Sequence, residues 1–199
     1  MPHLVLASSN TGKLAELREL LAPCGIELIG QSALGICDAV EDGMSFVENA
    51  LLKARHAARA SGMPALADDS GLCVAALDGA PGLHSARYAG RHGDSAANNT
   101  RLLQALHGVP PEGRGAFFIC VLALVAHADD PAPLIAEGRW HGRILDAPRG
   151  ECGFGYDPLF LPDGETRSAA ELDAATKNRS SHRGQALAML RQRLAEMHR

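Results

Sequence analysis

Two adjacent carboxylates, Asp68 and Asp69, lie between short apolar segments of the chain and are followed by Ser70 and Gly71. Carboxylates beside buried strands must be solvated, paired or bound to a cation. Carboxylate oxygens are the preferred ligands of Mg²⁺, which also takes waters and phosphate oxygens and can help to deprotonate an attacking water. The pair therefore predicts a magnesium site, and a plain Asx turn is the alternative.

A second candidate site joins a short apolar run to a helical pattern and consists of Ser8, Ser9, Asn10, Thr11, Gly12 and Lys13. Free backbone N–H groups and the positive end of the helix dipole attract anions at such a junction, and Lys13 adds a full charge. The spacing is not that of a Walker A loop. The segment predicts a phosphate site, and an ordinary N-cap with a surface lysine is the alternative.

A third candidate gathers two aromatic residues, two glycines and an acid in a chain that is only 4% aromatic, in the stretch GFGYDP at 153–158. Glycines let the backbone approach a planar ligand, an aromatic face can stack on a base, and Asp157 can read the edge of that base. Lys177, His182 and Arg183 lie near the start of the last helix, where donors can meet a carbonyl or phosphate oxygen. The stretch favours base binding, and a structural turn with buried aromatics is the alternative.

Alternating strands and helices must position these candidates. Apolar runs predict strands at 3–7, 26–29, 65–67, 72–77, 116–127 and 134–144, with residues 68–71 as a tight connection. Helical spacing predicts a helix through Leu14 and Leu21, one beginning at Ser45 with Lys53 on a polar stripe, and a last one capped by Ser181. We find no repeat or long polar linker. The expected class is therefore α/β with a mixed sheet flanked by helices, in one domain of two lobes over residues 1–199.

Composition excludes several classes of protein. The 199 residues carry 19 Lys and Arg against 23 Asp and Glu, a formal net charge of -4, which argues against polymeric nucleic acid or an anionic membrane as partner. No stretch approaches the roughly 20 apolar residues that span a bilayer, so we expect a cytoplasmic protein. The five cysteines are widely spaced without a CxxC pair, which indicates reduced thiols rather than a disulfide framework or a zinc site.

Taken together, six motifs in order along nearly the whole chain resemble the inosine triphosphate pyrophosphatase family, also described as dITP/XTP pyrophosphatases. The motifs are ASSNTGK at 7–13, SFVENALLKA at 45–54, ADDSGL at 67–72, GAPG at 79–82 with SARY at 85–88, GFGYDP at 153–158 and SHRGQA at 181–186. The resemblance implies Mg²⁺-dependent hydrolysis of non-standard purine nucleoside triphosphates (dITP, ITP, XTP) between the α- and β-phosphates. The implied products are the nucleoside monophosphate and pyrophosphate, and the implied enzyme is a homodimeric α/β protein with its cleft between two lobes.

The resemblance also implies roles for individual residues. Asp69 would be metal ligand and general base, and Ser70 would contact the substrate. The phosphates would be bound by Ser8, Ser9, Asn10, Thr11, Gly12, Lys13 and additionally Lys53. A second acidic metal ligand is expected in the loop before Ser45, for which we choose Glu41 over Asp38. The nucleobase pocket would be formed by Phe154, Gly155, Tyr156, Asp157, Lys177, His182 and Arg183, with Phe154 stacking and His182 and Arg183 reading the purine edge.

A donor such as Arg183 facing the purine O6 would favour a 6-keto purine over ATP. The 6-amino group of ATP is itself a donor, so the two donors would face each other unpaired. GTP shares the 6-keto group, so its exclusion must come from its 2-amino group. Two other functions stay open. One is a pyrophosphatase of similar architecture acting on modified pyrimidine triphosphates, as the septum-inhibitor-like family does. The other is a nucleotide sensor that binds without hydrolysis, against which the presence of both acids argues.

Overall fold

The computed structural model describes residues 3–22 and 25–197, without the side chains of Thr11, Leu20 and Met197. The expectations for the Thr11 side chain and for Cys24 therefore fall outside the described residues. The strands, in chain order, are β1 (His3–Leu6), β2 (Glu27–Gly30), β3 (Ala65–Val74), β4 (Gly115–Val125), β5 (Leu134–Ile144) and β6 (Phe160–Pro162). The helices are α1 (Thr11–Leu21), α2 (Phe46–Ser61), α3 (Ser95–Ala105), α4 (Ala174–Ser180) and α5 (His182–Met197).

The six strands form one mixed sheet in the order β2-β1-β3-β4-β5-β6. β1 runs parallel to β2 and to β3, with Val5 opposite Ile29 and Ala65 in the two pairings. β5 and β6 are antiparallel, with Ile144 opposite Phe160. The predicted α/β class with a mixed sheet and flanking helices is confirmed.

Capping side chains fix where the helices beside the candidate site begin. The Oδ1 atom of Asn10 accepts a hydrogen bond from the backbone N–H of Lys13 at 3.0 Å and caps α1. At the start of α2, the Ser45 hydroxyl accepts from the N–H of Glu48, and the Glu48 carboxylate accepts from the N–H of Met44. The Ser45 hydroxyl also donates to the Glu48 carboxylate at 2.9 Å, and these bonds, which resemble a capping box, fix the first turn of α2.

The described residues divide into two compact units, each with its own apolar core. The first unit takes the chain up to Asp69, then Cys120–Gly138, then the chain from Arg183 onward. Its core joins β1, α1 and α5 through buried leucines: Leu4, Leu6, Leu17, Leu21, Leu187 and Leu190. The second unit consists of Ser70–Ile119 and Arg139–His182. Its core contains Leu72, Leu102, Phe118, Trp140, Tyr156 and Phe160.

Four elements differ from the sequence-based expectations. The expected tight connection at 68–71 is wrong, because β3 runs unbroken from Ala65 to Val74 through both acids. A strand can carry these carboxylates because cationic side chains neutralise them, as described below. The helices α3 and α4 and the short strand β6 were not expected. No helix in the described part of the chain is long and apolar enough to cross a membrane.

Candidate active site

Asp68 is a buried carboxylate bound by two cations. Lys13 Nζ donates to its Oδ1 at 2.6 Å, and Arg183 Nε donates to its Oδ2 at 2.8 Å. The thiol of Cys120 also donates to Oδ2 at 3.3 Å, and a second guanidinium nitrogen of Arg183 donates to Glu16. Burial would lower the pKa of Arg183, but the attractions of Asp68, Cys120 and Glu16 together outweigh it and raise that pKa. The guanidinium therefore stays charged, and it donates to the carboxylates of Asp68 and Glu16.

Asp69 takes part in a separate cluster with Lys53 and Glu41. Lys53 Nζ lies 2.6 Å from Asp69 Oδ1 and 3.1 Å from Glu41 Oε1. Burial would lower the pKa of Lys53, but Asp69 and Glu41 outweigh it and raise that pKa. Burial raises the pKa of Asp69, and the attraction of Lys53 reverses this only in part. Two carboxylate oxygens thus converge on one cationic atom.

Successive side chains of a strand point to opposite faces of the sheet, which explains why the adjacent acids have different partners. Asp68 meets Lys13 of α1 and Arg183 of α5, while Asp69 meets Lys53 of α2. The two carboxylates therefore do not share one cation. The acid that lies with Asp69 is Glu41.

The loop before α2 contains both of the acids considered as a second metal ligand. Asp38 accepts a hydrogen bond from the side-chain amide of Gln31, whereas Glu41 contacts the same lysine as Asp69. Within residues 3–22 and 25–197, no group of three or more His, Cys, Asp or Glu side chains lies together as a metal-binding cluster. A cation at this point would therefore take two protein carboxylates and complete its coordination with other oxygens.

The candidate phosphate segment leads from β1 into α1. Ser8 Oγ accepts from the N–H of Asn10 at 3.2 Å, and Ser9 and Asn10 are exposed. Asn10 is an N-cap, as the alternative interpretation of the segment expected, but Lys13 is not a surface lysine. Its side chain is 16% exposed and its Nζ reaches the buried Asp68. The segment thus ends in a cation that a buried carboxylate holds in place.

In the second unit, Asp157 organises the aromatic loop. Its buried Oδ2 accepts from the backbone N–H of Phe154 and from Lys177 Nζ, each at 2.8 Å. Gly153 has φ +79°, and a Cβ atom there would lie 2.2 Å from Asp157 Oδ2. Only glycine can therefore precede Phe154 without moving the carboxylate. Asp157 holds the loop together, a role that its sequence position alone does not indicate.

The two aromatic residues of this loop have different environments. Phe154 is 40% exposed, and Lys177 Nζ lies 5.0 Å from its ring centroid. An exposed ring beside a cation is a suitable surface for stacking a base. Tyr156 is buried, its hydroxyl donates to the Ser85 carbonyl at 2.9 Å, and burial raises its pKa. Tyr156 therefore anchors the loop, as the alternative interpretation of a structural turn expected for this residue.

His182 and Arg183 are neighbours in sequence but belong to different units. The buried His182 ring stacks on Phe118, with centroids 4.9 Å apart and an interplanar angle of 13°. The Arg183 guanidinium donates to Asp68 and Glu16. The structure thus groups His182 with the unit that carries the Phe154 loop and groups Arg183 with the acids of β3. Ser70, directly after Asp69 on β3, begins the second unit.

Sequence reasoning missed several residues that support these groups. Glu16 lies one helical turn after Lys13 on α1, so its spacing was a usable signal for a shared face. Gly153 stood within a motif already singled out. Asn99 of α3 donates from Nδ2 to the Gly155 carbonyl at 3.0 Å, and it lies in a helix that the sequence did not indicate.

Comparison with known proteins identifies relatives of the chain. Residues 4–193 match the model of the Ham1 family. A protein of Xanthomonas oryzae pv. oryzae named dITP/XTP pyrophosphatase is 57% identical over 194 residues, covering 98% of each chain. A protein of the same name from Acinetobacter baumannii is 57% identical over 196 residues, covering 96% of this chain and 94% of the relative. The structure of a HAM1 protein from Coxiella burnetii superimposes with a TM-score of 0.91 at 51% identity, covering 98% of this chain and all of the other.

Proposed function

The chain belongs to the Ham1 family, as its motifs indicated, and we propose that it is a nucleoside triphosphate pyrophosphatase acting on dITP, ITP and XTP. It would hydrolyse the anhydride bond between the α- and β-phosphates and release the nucleoside monophosphate and pyrophosphate. The observation that carries the proposal is the placement of two lysines, Lys13 and Lys53, on the adjacent carboxylates of β3. The names of relatives 57% identical over almost their full length support the same activity.

Lys13 and Lys53 are the groups we assign to the polyphosphate. Each Nζ has three N–H donors. Lys13 contacts the carboxylate of Asp68, and Lys53 contacts those of Asp69 and Glu41, so each lysine keeps at least one donor for phosphate oxygens. The exposed residues Ser9 and Asn10 lie just before the N-terminus of α1, where the positive end of the helix dipole attracts anions. We assign Ser8, Gly12 and Thr11 to the same segment, and Ser70 to a substrate contact. These cations neutralise the charge that grows on the departing pyrophosphate.

We assign Glu41 and Asp69 as the ligands of one Mg²⁺ ion. Their oxygens converge on Lys53 Nζ at 3.1 and 2.6 Å, so they already lie around a common positive charge. Two carboxylates with phosphate and water oxygens form a donor set that suits Mg²⁺. When bound, Mg²⁺ supplies positive charge that stabilises the reacting phosphate groups. Asp69 would also accept the proton of the attacking water, for which it needs one oxygen free of the cation.

The nucleobase is assigned to the loop of the second unit. The exposed Phe154 ring would stack on the purine, and Lys177 lies beside that ring as a donor for a 6-keto oxygen. A donor at this position would disfavour ATP, whose 6-amino group also donates. Gly155, Tyr156 and Asp157 shape the loop, and His182 lies in the same unit. The assignment of Arg183 to the purine edge stays a prediction, since its guanidinium donates to Asp68 and Glu16.

We further propose that the enzyme works as a cytoplasmic homodimer, with each chain one catalytic domain of two lobes. Free thiols at the four described cysteines suit a reducing compartment. Acids outnumber basic residues by 23 to 19, which supports a small-molecule substrate rather than polymeric nucleic acid or a membrane. Sedimentation velocity at micromolar concentration tests the dimer directly, and a single monomer boundary would contradict it.

Product analysis tests the proposed reaction. Ion-exchange chromatography after incubation with dITP and Mg²⁺ should yield deoxyinosine monophosphate and pyrophosphate in equal amounts. Deoxyinosine diphosphate with orthophosphate would place the cleaved bond elsewhere and contradict the proposal. Asp69→Asn should lower the rate about a thousandfold or more, because the variant loses both a carboxylate ligand of Mg²⁺ and the acceptor of the water proton. Asp42→Asn, a change at an exposed acid of the same loop, is the matched control and should leave the rate unchanged.

A further inference from the structure

The loop that carries Phe154 is held by α3, a helix that none of the six motifs includes. Asn99 of α3 donates from Nδ2 to the Gly155 carbonyl at 3.0 Å. The preceding residue, Asn98, accepts from the N–H of Ala89 at 2.7 Å and donates to the Ser85 carbonyl at 3.4 Å. The side-chain amides of two consecutive residues of α3 therefore bind two different loops of the second unit.

Those two loops are also joined to each other. The Tyr156 hydroxyl donates to the Ser85 carbonyl at 2.9 Å, and the Ser85 hydroxyl accepts from the N–H of Leu72 on β3 at 2.9 Å. The backbone beside the Phe154 ring is thus held at two points. On one side the Asp157 carboxylate holds its N–H, and on the other Asn99 holds the carbonyl of Gly155. The ring itself is exposed, so these backbone bonds set where it lies.

The bond to the Gly155 carbonyl determines how the side-chain amide of Asn99 is oriented. With Nδ2 turned to the carbonyl, Oδ1 is buried without a hydrogen-bond partner among the described residues. A buried acceptor without a partner is destabilising, and an apolar residue of similar shape would avoid that cost. Stability alone does not account for asparagine here, whereas holding the loop does.

We propose that Asn99 is a positioning residue of the nucleobase subsite, which fixes the Phe154 ring for stacking by holding the Gly155 carbonyl. The inference rests on the proposed function, because it assigns the loop to the purine. Asn99 acts through the loop and touches neither the phosphates nor the reacting atoms. Its loss should therefore weaken base binding and leave the chemical step intact.

Steady-state kinetics with dITP separates these effects. Asn99→Ala and the isosteric Asn99→Asp both remove the donor and should raise KM about three- to tenfold, the range expected for one hydrogen bond, with kcat changed less than about twofold. Thr100→Ala is the matched control, since Thr100 is exposed and its hydroxyl donates within α3, to the Ala96 carbonyl. It should change neither constant. Unchanged KM in Asn99→Asp, or a fall in kcat alone, would overturn the proposal.

Hydrogen exchange tests the same inference without substrate. The amides of residues 153–157 should exchange faster in Asn99→Asp than in the wild type or Thr100→Ala, while the amides of β4 are unchanged. Equal exchange of the loop in all three proteins would overturn the positioning role. Absence of dITP hydrolysis by the wild type would instead refute the proposed function, so the two failures are distinguishable.

Discussion

Asp68 and Arg183 form a buried ion pair that joins β3 to α5, with Nε of the guanidinium donating to Oδ2 at 2.8 Å. The side chains are 0% and 3% exposed. The same carboxylate holds Lys13 through its other oxygen. Arg183, which was expected at the purine edge, thus shares the Asp68 carboxylate with Lys13, which is assigned to the phosphates.

This ion pair predicts how Arg183→Lys affects selectivity. A lysine cannot reproduce the guanidinium contacts to Asp68 and Glu16. The Asp68 carboxylate, which binds Lys13 through its other oxygen, is then held less firmly. We expect kcat/KM to fall by about tenfold or more, and by the same factor for dITP and for ATP. Arg191→Lys, at an exposed position of α5, is the control and should have no effect. A fall for dITP with no fall for ATP would instead support the reading of the purine edge by Arg183.

Asp68→Asn should be strongly destabilising. The substitution leaves the charges of Lys13 and Arg183 without their shared carboxylate in a buried site. Removing one partner of a buried ion pair costs about 3–5 kcal/mol of unfolding free energy. Urea denaturation measures this, with Asp42→Asn at the protein surface as a control that should change the unfolding free energy by less than about 0.5 kcal/mol. A loss of under 1 kcal/mol would show that the network adds little to stability.

The metal assignment distinguishes Glu41 from Asp38. Glu41→Gln should raise the Mg²⁺ concentration needed for half-maximal activity by about tenfold or more, because one of two carboxylate ligands is replaced by a neutral amide. Asp38→Asn should leave it unchanged, since Asp38 accepts from Gln31 instead. Activity titrations with Mg²⁺ measure both values. The reverse order of effects would assign Asp38 as the ligand.

Much of the fold followed from sequence patterns, but the partners of charged residues did not. Alternating and apolar runs predicted β5 with its observed bounds and β4 to within two residues. The strand through Asp68 and Asp69 was missed because consecutive acids indicate a turn unless cations neutralise them. Those cations come from Lys13, Lys53 and Arg183, which are distant in sequence. Local patterns carry no signal for such pairings.

Motifs and residue types selected the residues of the candidate site, but they did not predict the geometry of each residue. Phe154 is exposed beside Lys177, as a stacking residue should be. Tyr156, from the same motif, is buried, and the sequence does not distinguish the two rings. The helix α3 begins at an N-cap, Asp94, but its residues 95–105 have only a weak apolar pattern, so the position of Asn99 was not foreseen.

Tyr156→Phe tests the anchoring of the aromatic loop through its pH dependence. Burial raises the pKa of Tyr156 in the native protein above the value of about 10 expected in the unfolded chain. Above about pH 10 the unfolded chain therefore releases a proton that the native protein keeps, so native stability falls as pH rises. The variant lacks this contribution. Its deficit in unfolding free energy at pH 7, about 1 kcal/mol from the lost bond to Ser85, should shrink between pH 10 and 11. A constant deficit would contradict the burial of this hydroxyl.

Pyrophosphate release measured with dITP, XTP, GTP, ATP and dTTP, each with Mg²⁺ and again with EDTA, tests the central claim most directly. We predict Mg²⁺-dependent turnover of dITP and XTP, with kcat/KM for the other three lower by at least about a hundredfold, roughly 2.7 kcal/mol of transition-state discrimination. Equal turnover of GTP and XTP would contradict the exclusion of the 2-amino group, and fastest turnover of dTTP would indicate a pyrimidine enzyme. Tight binding of dITP without pyrophosphate release would contradict the account and indicate a nucleotide sensor.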